Sequence, residues 1–490
     1  MSMFLGTLVA PLFGGLMLAL VANTRLAFGI NVATGVATFG FSLALALGIL
    51  EKGALNPVGG WFFLDAYNVF LIVLTTFVGM TTAIFSGPYM RHEIERGRMD
   101  AQRMRLYHSM FQLFLFGMLL GFTTDNIGVL WVSLELATLA TVLLVSLYRT
   151  PASIAAAWKY FILCGMGIAL ALFGTVMVFF TASNVLGHGN EALSWTRLLQ
   201  HASELDPAVM MIAFCFLMVG YGTKVGLAPM HAWLPDAHGE GPTPVSAVLS
   251  GLLLNLALYA LVRLKMLVDG ATASETAGHI MMAFGLLSLI VAAFSLHKQR
   301  DIKRMFSFSS IEHMGLMTFA FGIGTQLASF AALLHMTVHS LVKSGIFFTV
   351  GHAAQAMGTQ KMAEIRGLIR HHPGIGWGLL IGTAAIAGFP PFGVFTSEFL
   401  LFTATIDAHA WTCVPLLLGL LIAMAGLFRF VQPMVYGETA AQAVPVRVNM
   451  LPVYVHLALA LVLGLSIPSF LSGWYEQAAA LIVTTSVEGL

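Results

Sequence analysis

Charge is what this chain has least of. Only 9% of its residues are Asp, Glu, Lys or Arg, against about 25% in an average soluble domain, so a water-facing globular surface cannot be built from it. The 23 basic and 22 acidic residues leave a net charge of +1. That offers no basic surface able to neutralise a phosphate backbone, which excludes nucleic acid as a partner. Cysteine is scarce too: Cys164, Cys215 and Cys413 stand far apart, with no CxxC and no Cys/His grouping. The chain therefore has no ligand set for an iron–sulfur cluster or a structural zinc, and the expectation is that it carries no cofactor or metal of its own. No GxGxxG follows a strand pattern and no GxxxxGK[ST] loop occurs, so nucleotide chemistry has no place in it. What is present is 58% hydrophobic, the composition of a protein whose solvent is lipid.

Apolar segments long enough to cross a bilayer number about fourteen. They begin near Phe4, Ala27, Leu64, His108, Asn126, Ile154, Ala208, Pro244, His279, Ser310, Ala328, Gly376, Thr412 and Pro452. The expected fold is an all-α polytopic membrane protein. The first segment has no basic region before it and is too long for a cleaved signal, so it reads as a retained span. Loops after odd-numbered segments hold Arg25, Arg91, Arg96, Arg98, Arg103, Arg105, Arg149, Lys298, Arg300, Lys303, Arg304, Lys361, Arg366, Arg370, Arg429 and Arg447, whereas the even loops hold little beyond Lys52 and Arg197. The positive-inside rule then puts the odd loops in the cytoplasm and both termini on the far side. One missed segment would scramble that alternation.

Inside the apolar segments a short list of ionisable residues remains: Glu135, Lys159, Lys224, His335, His339, Lys343 and Glu398. Each charge at mid-membrane costs at least roughly 2.5 to 3.5 kcal/mol, so the set requires pairing, water or a use. Any single member can be a snorkelling or structurally paired residue, and Lys159, near the start of its helix, fits that reading well. The set as a whole fits a proton relay. In LLHMTVHSLVKSGIFF the spacing stacks His335, His339 and Lys343 along one helix face, about 6 Å apart from turn to turn. HMTVH has zinc-helix spacing but lacks the water-activating glutamate, and Lys343 would repel a dication. Lys224 precedes Pro229, and Glu398 follows Pro390 and Pro391. Proline breaks a helix, and in lipid such breaks belong where protein or water lines them. The breaks fall in the seventh and twelfth segments, the pattern of a transporter built from inverted repeats. RHEIERGRMDAQRMR mixes both signs and reads as a solvated cytoplasmic loop that touches a partner subunit.

HAWLPDAHGEGPTPVSAVLSG, HKQRDIKRMFSFSSIEHMG and HMTVHSLVKSGIFF resemble the proton-translocating antiporter-type subunits of respiratory complex I, Mrp antiporters and membrane-bound nickel–iron hydrogenases. AAWKYFILC, LLNLALYALVR and PPFGVFTSEFL are most similar to component F of hydrogenase 4. The resemblance implies two inverted five-helix repeats, spans four to eight (108–267) and nine to thirteen (268–434), with 1–107 before them and 435–490 after. It implies a switchable pair of Glu135 with Lys224, a relay of His335, His339 and Lys343, and a terminal site at Glu398. Where relatives have an eighth-span lysine, this chain has Asn255, so the central link is left to water, His231, His238 or the histidines of the eleventh segment, with Lys159 accessory. No long lateral amphipathic helix is expected after the last segment. The implied setting is a bacterial or archaeal cytoplasmic membrane. There other membrane subunits and a peripheral redox arm, carrying any iron–sulfur, nickel–iron or flavin groups, would form a group 4 hydrogenase or NADH:quinone oxidoreductase-like complex. A cation/proton antiporter module, the proton channel of an inorganic-carbon uptake complex and a structural scaffold are the alternatives.

Overall fold

The computed structural model describes residues 1–438 and 448–483; Arg447, counted above among the basic loop residues, lies outside them. Every regular element among the described residues is helical, and only isolated bridge pairs such as Leu55 with Leu64 join extended loop segments. The first six long helices are α1 (Ser2–Leu20), α2 (Thr24–Lys52), α3 (Ala66–Glu95), α4 (Ala101–Thr123), α5 (Ile127–Val145) and α6 (Pro151–Leu186). They are followed by α7 (Pro207–Val225), α8 (Thr243–Thr272), α9 (Thr276–Leu296), α10 (Ile302–Ile323) and α11 (Gln326–Met357). The chain closes with α12 (Pro373–Ile386), α13 (Gly393–His409), α14 (Cys413–Tyr436), α15 (Leu451–Leu465) and α16 (Ser469–Val483).

The starts of these helices are written in short polar residues. Asp65, Asp100, Asn126, Thr150, Asp206, Asp301 and Thr325 each accept from the first free N–H groups of α3, α4, α5, α6, α7, α10 and α11. Donors that lipid would leave unpaired are thereby satisfied.

Among the described residues eleven helices are long and apolar enough to cross a membrane, or up to twelve if the bent pair α15 and α16 is one span. That is fewer than the fourteen expected from hydropathy, for three local reasons. α10 carries Ser307, Ser309, Ser310, Glu312 and His313, which dilute its apolar surface. α12 has only 14 residues, about 21 Å of helix. α13 and α14 follow one another through a single 3-10 turn at Ala410–Thr412, so by length they merge, although His409 leaves helical geometry at φ −147° and ψ 59°.

α8 and α11 occupy the centre: the apolar window of α8 is wholly buried and that of α11 almost wholly, while α1, α2, α6 and the α13–α14 stretch turn most of theirs outward. Outward side chains such as Phe13, Leu16, Trp158 and Phe180 are large and apolar, as lipid contact requires. Between α9 and α10 small residues let the backbones touch. A Cβ added at Gly285 would lie 2.5 Å from the Gly315 carbonyl oxygen, and one at Gly315 would lie 2.6 Å from that of Gly285. Gly278 and Gly322, seven residues away on each helix, meet in the same way, a small-residue seam of the kind that drives helix association in membranes. Gly285→Ala is therefore expected to lower stability by about 1–3 kcal/mol in thermal unfolding of the detergent-solubilised protein. Gly29→Ala, where nothing lies within 4 Å, should be neutral or gain up to about 1 kcal/mol from helix propensity; equal effects at both positions would contradict the seam.

Candidate functional site

The first group of buried charges forms where α7 ends. Gly226, at φ 83°, turns the chain left-handed after Val225 and sends its N–H to the Gly222 and Thr223 carbonyls. The exposed end of the helix is then met by protein: Trp233 Nε1 donates to the Thr223 carbonyl at 2.8 Å, and the Ala228 N–H donates to Ser288 Oγ at 2.9 Å. The chain resumes as a short helix, Leu234–Glu240. Lys224 sits in the last turn of α7, where the helix dipole favours a cation. Its Nζ, wholly buried, donates to Thr138 Oγ1 at 2.6 Å and lies 3.4 Å from Glu135 Oε2. Glu135 and Thr138, three apart on α5, share one face. The ion pair is longer than the roughly 2.7–2.9 Å of a tight charge-assisted bond, and Glu135 keeps 21% of its side chain exposed, so the carboxylate is the less enclosed member.

Lys159 takes a different partner. Its Nζ donates to Asp236 Oδ2 at 2.6 Å, and the other oxygen of Asp236 accepts from Arg304. This bridge ties α6, the short helix and α10 together near the face that carries the basic loops. Beside it Asp301 caps α10, and burial pushes its carboxyl above the ordinary range against the pull of Lys303. Lys303 Nζ donates to the Gly241 carbonyl at 2.8 Å. His231 is half-buried with its ring against Phe308 at 6.0 Å. His238 is buried and stacks on Phe347 of α11 at 4.9 Å, and neither ring nitrogen has a hydrogen-bond partner among the described residues. Asn255 Nδ2 bridges from α8 to Ser340 Oγ on α11 at 2.9 Å.

The second group lies between α10, α11 and α13. His335 Nε2 and His313 Nδ1 are 3.0 Å apart, and His335 Nδ1 is 2.9 Å from Ser397 Oγ. His339 faces the same His313 ring at 5.5 Å between centroids, with both its nitrogens buried and unpartnered among the described residues. Lys343 Nζ, fully buried, donates to the Phe306 carbonyl at 2.9 Å. Glu312 lies within electrostatic range of both Lys343 and Glu398. α12 ends at Ile386 and α13 begins at Gly393; in the break between them Gly388, at φ +71°, lies so close to the Glu398 carboxylate that a Cβ there would collide with it.

The structure thus brings Glu135 to Lys224, and His335 to the segment holding Glu398. It leaves His339 and Lys343 without a direct bond to each other, and sets Lys159, His231 and His238 nearer the basic face. The sequence reading missed Asp236, Glu312 and His313, although IEHMG puts the latter two inside an apolar segment where the same depth rule applies. It also missed Arg263, whose Nη2 meets Asp65 Oδ2 at 2.6 Å and whose guanidinium lies 4.3 Å from the Trp195 ring. That pair caps α3 and is structural. Serines form a further unforeseen feature: Ser250 Oγ and Ser310 Oγ are 2.7 Å apart, and Ser340 and Ser344 lie against Gly251 in the same α8–α10–α11 seam. Among the described residues no cluster of three or more His, Cys, Asp or Glu is arranged to hold a metal ion.

A bundle with an α8–α11 centre, and with ionisable groups beside the breaks after α7 and α12, defines a multi-pass membrane protein. Residues 124–435 match the family model described as NADH:quinone oxidoreductase/Mrp antiporter, TM, and the chain belongs to that family as an antiporter-type membrane subunit. It is 47% identical over 472 residues to a protein of Methylacidiphilum infernorum (isolate V4) called hydrogenase-4 component F homolog, covering 96% of this chain and 98% of that one. A subunit of the membrane-bound sulfane sulfur reductase, an archaeal respiratory membrane complex, superimposes with a TM-score of 0.89 at 22% identity, over 98% of this chain and 97% of its own. A chain of the Mrp complex from Dietzia sp. DQ12-45-1b gives 0.86 at 18% identity, over 99% and 98%. At such identities the two superpositions establish the fold.

The contact of Gly388 with Glu398 is testable by a double-mutant cycle. Gly388→Ala is expected to destabilise the protein by about 1–2 kcal/mol, from the left-handed backbone and the collision together. In a Glu398→Ala background the smaller, contact part of that cost should disappear, leaving the backbone strain. Additive costs would show that the two groups do not touch.

Proposed function

We propose that the chain translocates protons through a hydrated line of side chains running from Glu135 and Lys224, by way of the α8–α10–α11 seam, to His335, His339, Lys343 and Glu398. The observation that carries this reading is the Lys224 amine, buried beside a carboxylate at 3.4 Å and a hydroxyl at 2.6 Å. A buried ammonium is stable only with a counter-ion. Withdrawal of Glu135 leaves that charge unpaired and drives the proton onward; its return favours reloading. Asn255 cannot take the charge, so the middle of the line uses water held by seam hydroxyls and by the unpartnered nitrogens of His238 and His339, since buried polar atoms seek a partner. Imidazoles suit the far half because one nitrogen accepts while the other donates, and His335 bonds through both of its own. His313 and Glu312 join this path, while Lys159 and His231 serve uptake from the basic face.

In this reading the chain crosses the membrane about fourteen times: α12 with α13 makes one crossing, as does α15 with α16, and α10 crosses because its polar face points inward. Spans four to eight and nine to thirteen are inverted repeats, each with one break, inserted in a prokaryotic inner membrane with the basic loops in the cytoplasm. Partner membrane subunits and a peripheral redox arm, which holds the electron-transfer groups, supply the drive. The 47% identity to a hydrogenase-4 component F homolog over nearly the whole chain favours a hydrogenase-type complex over a cation/proton antiporter.

Lys224→Ala and Glu135→Gln are each expected to abolish donor-driven proton uptake by inverted membrane vesicles while the complex still assembles. Unchanged uptake in either variant would reject the assignment.

A further inference from the structure

We propose that the cleft between the basic-face ends of α2, α3 and α4 binds one anionic phospholipid. The cleft, about 260 Å³ in volume, is lined by Arg25, Phe28, Gly87, Met90, Arg91, Met104 and His108 among others. Its chemistry is ordered as a phospholipid is. Arg25, in the first turn of α2, and Arg91, one turn before the end of α3, are exposed at its mouth, and neither makes an ion pair among the described residues. Two unpaired guanidiniums on neighbouring helices present the fork geometry that suits a phosphate. Met90, Met104 and Phe28 supply apolar walls, and Phe28 is seated against the bare backbone of Gly87, where any side chain would displace it.

The inner end supplies a second and independent observation. His108 is 1% exposed, and neither of its ring nitrogens has a hydrogen-bond partner among the described residues, although the residue lines the cleft. A buried imidazole N–H in that position needs an acceptor. It lies two turns into α4, about 10 Å below the helix start, so the glycerol ester carbonyls beneath a phosphate held by Arg25 and Arg91 would reach it. A soluble phosphate would satisfy the arginines and leave both His108 and the apolar walls unused. An acidic helix from a partner subunit would pair the arginines but could not enter so narrow a cleft to reach His108. The site is independent of the proton path and rests only on the chain lying in a bilayer.

The test titrates the purified complex, delipidated in a zwitterionic detergent, with phosphatidylglycerol or phosphatidylcholine and counts bound lipids by native mass spectrometry. Arg25→Ala with Arg91→Ala should weaken one phosphatidylglycerol site by about thirtyfold, and Arg25→Lys with Arg91→Lys, which keeps the charge without the fork, should restore only part of it. His108→Phe should weaken the same site for both lipids. Arg370→Ala, on the same face away from the cleft, should change nothing. Undiminished phosphatidylglycerol binding in the double alanine variant would overturn the proposal. So would equal affinity of the wild type for phosphatidylcholine, full competition by millimolar inorganic phosphate, or crosslinking of the Arg25→Cys variant to a partner subunit.

Discussion

A lysine with no exposed surface, in the last turn of an interrupted helix, is the constraint on which the arrangement depends. Its charge is tolerable only because α5 brings Glu135 and Thr138 to it and because the helix that would have continued past it does not. The interruption would itself be too costly in lipid without Trp233 and Ser288, which satisfy the freed carbonyl and amide. Charge, break and surrounding helices therefore form one unit. The second interruption repeats the logic with opposite sign: a carboxylate rests against a glycine whose missing side chain makes the room.

Between those two units the middle of α8 has no charged side chain; its Arg263 and Lys265 lie near its far end, paired with Asp65 and Asp269. In that middle stretch Asn255 supplies an amide that ties α8 to α11 through Ser340. Hydroxyls of α8, α10 and α11 line the same seam, with Ser250 and Ser310 in direct contact. In the proposed path such a lining stabilises water without storing charge, so the middle of the molecule conducts while the ends hold the protons. On this view the two halves are coupled through electrostatics at Lys224 and at the Glu312, Lys343 and Glu398 group.

Much of the helix layout was legible because lipid imposes a simple rule. Apolar runs of the required length appear as helices, and the starts of α3, α5, α6 and α7 fall at the short polar residues that cap them. The count was less legible. The segment read from Ser310 is the second half of α10, whose first half is diluted by polar residues because the helix faces the interior rather than lipid, and α12 with α13 and α15 with α16 are divided by turns that hydropathy averages over. Prominent single residues such as Lys224, Lys343 and Glu398 stand out in an apolar run. Glu312 and His313 did not, since the serines around them had already lowered the contrast. Asp236 was hidden for another reason: in LPDAH it looks like a loop acid, and only the fold shows that it joins Lys159 to Arg304. The cleft lined by Arg25, Arg91 and His108 is assembled from three helices and has no signature along the chain.

The measurement that bears most directly on the central claim is an experimental density map of the assembled complex at a resolution that shows ordered water. The account predicts a chain of waters touching Ser250, Ser310, Ser340 and both nitrogens of His339, continuous from the Lys224 amine to the Glu398 carboxylate. A seam filled by apolar side chains, with those hydroxyls and nitrogens bonded only to protein, would contradict it.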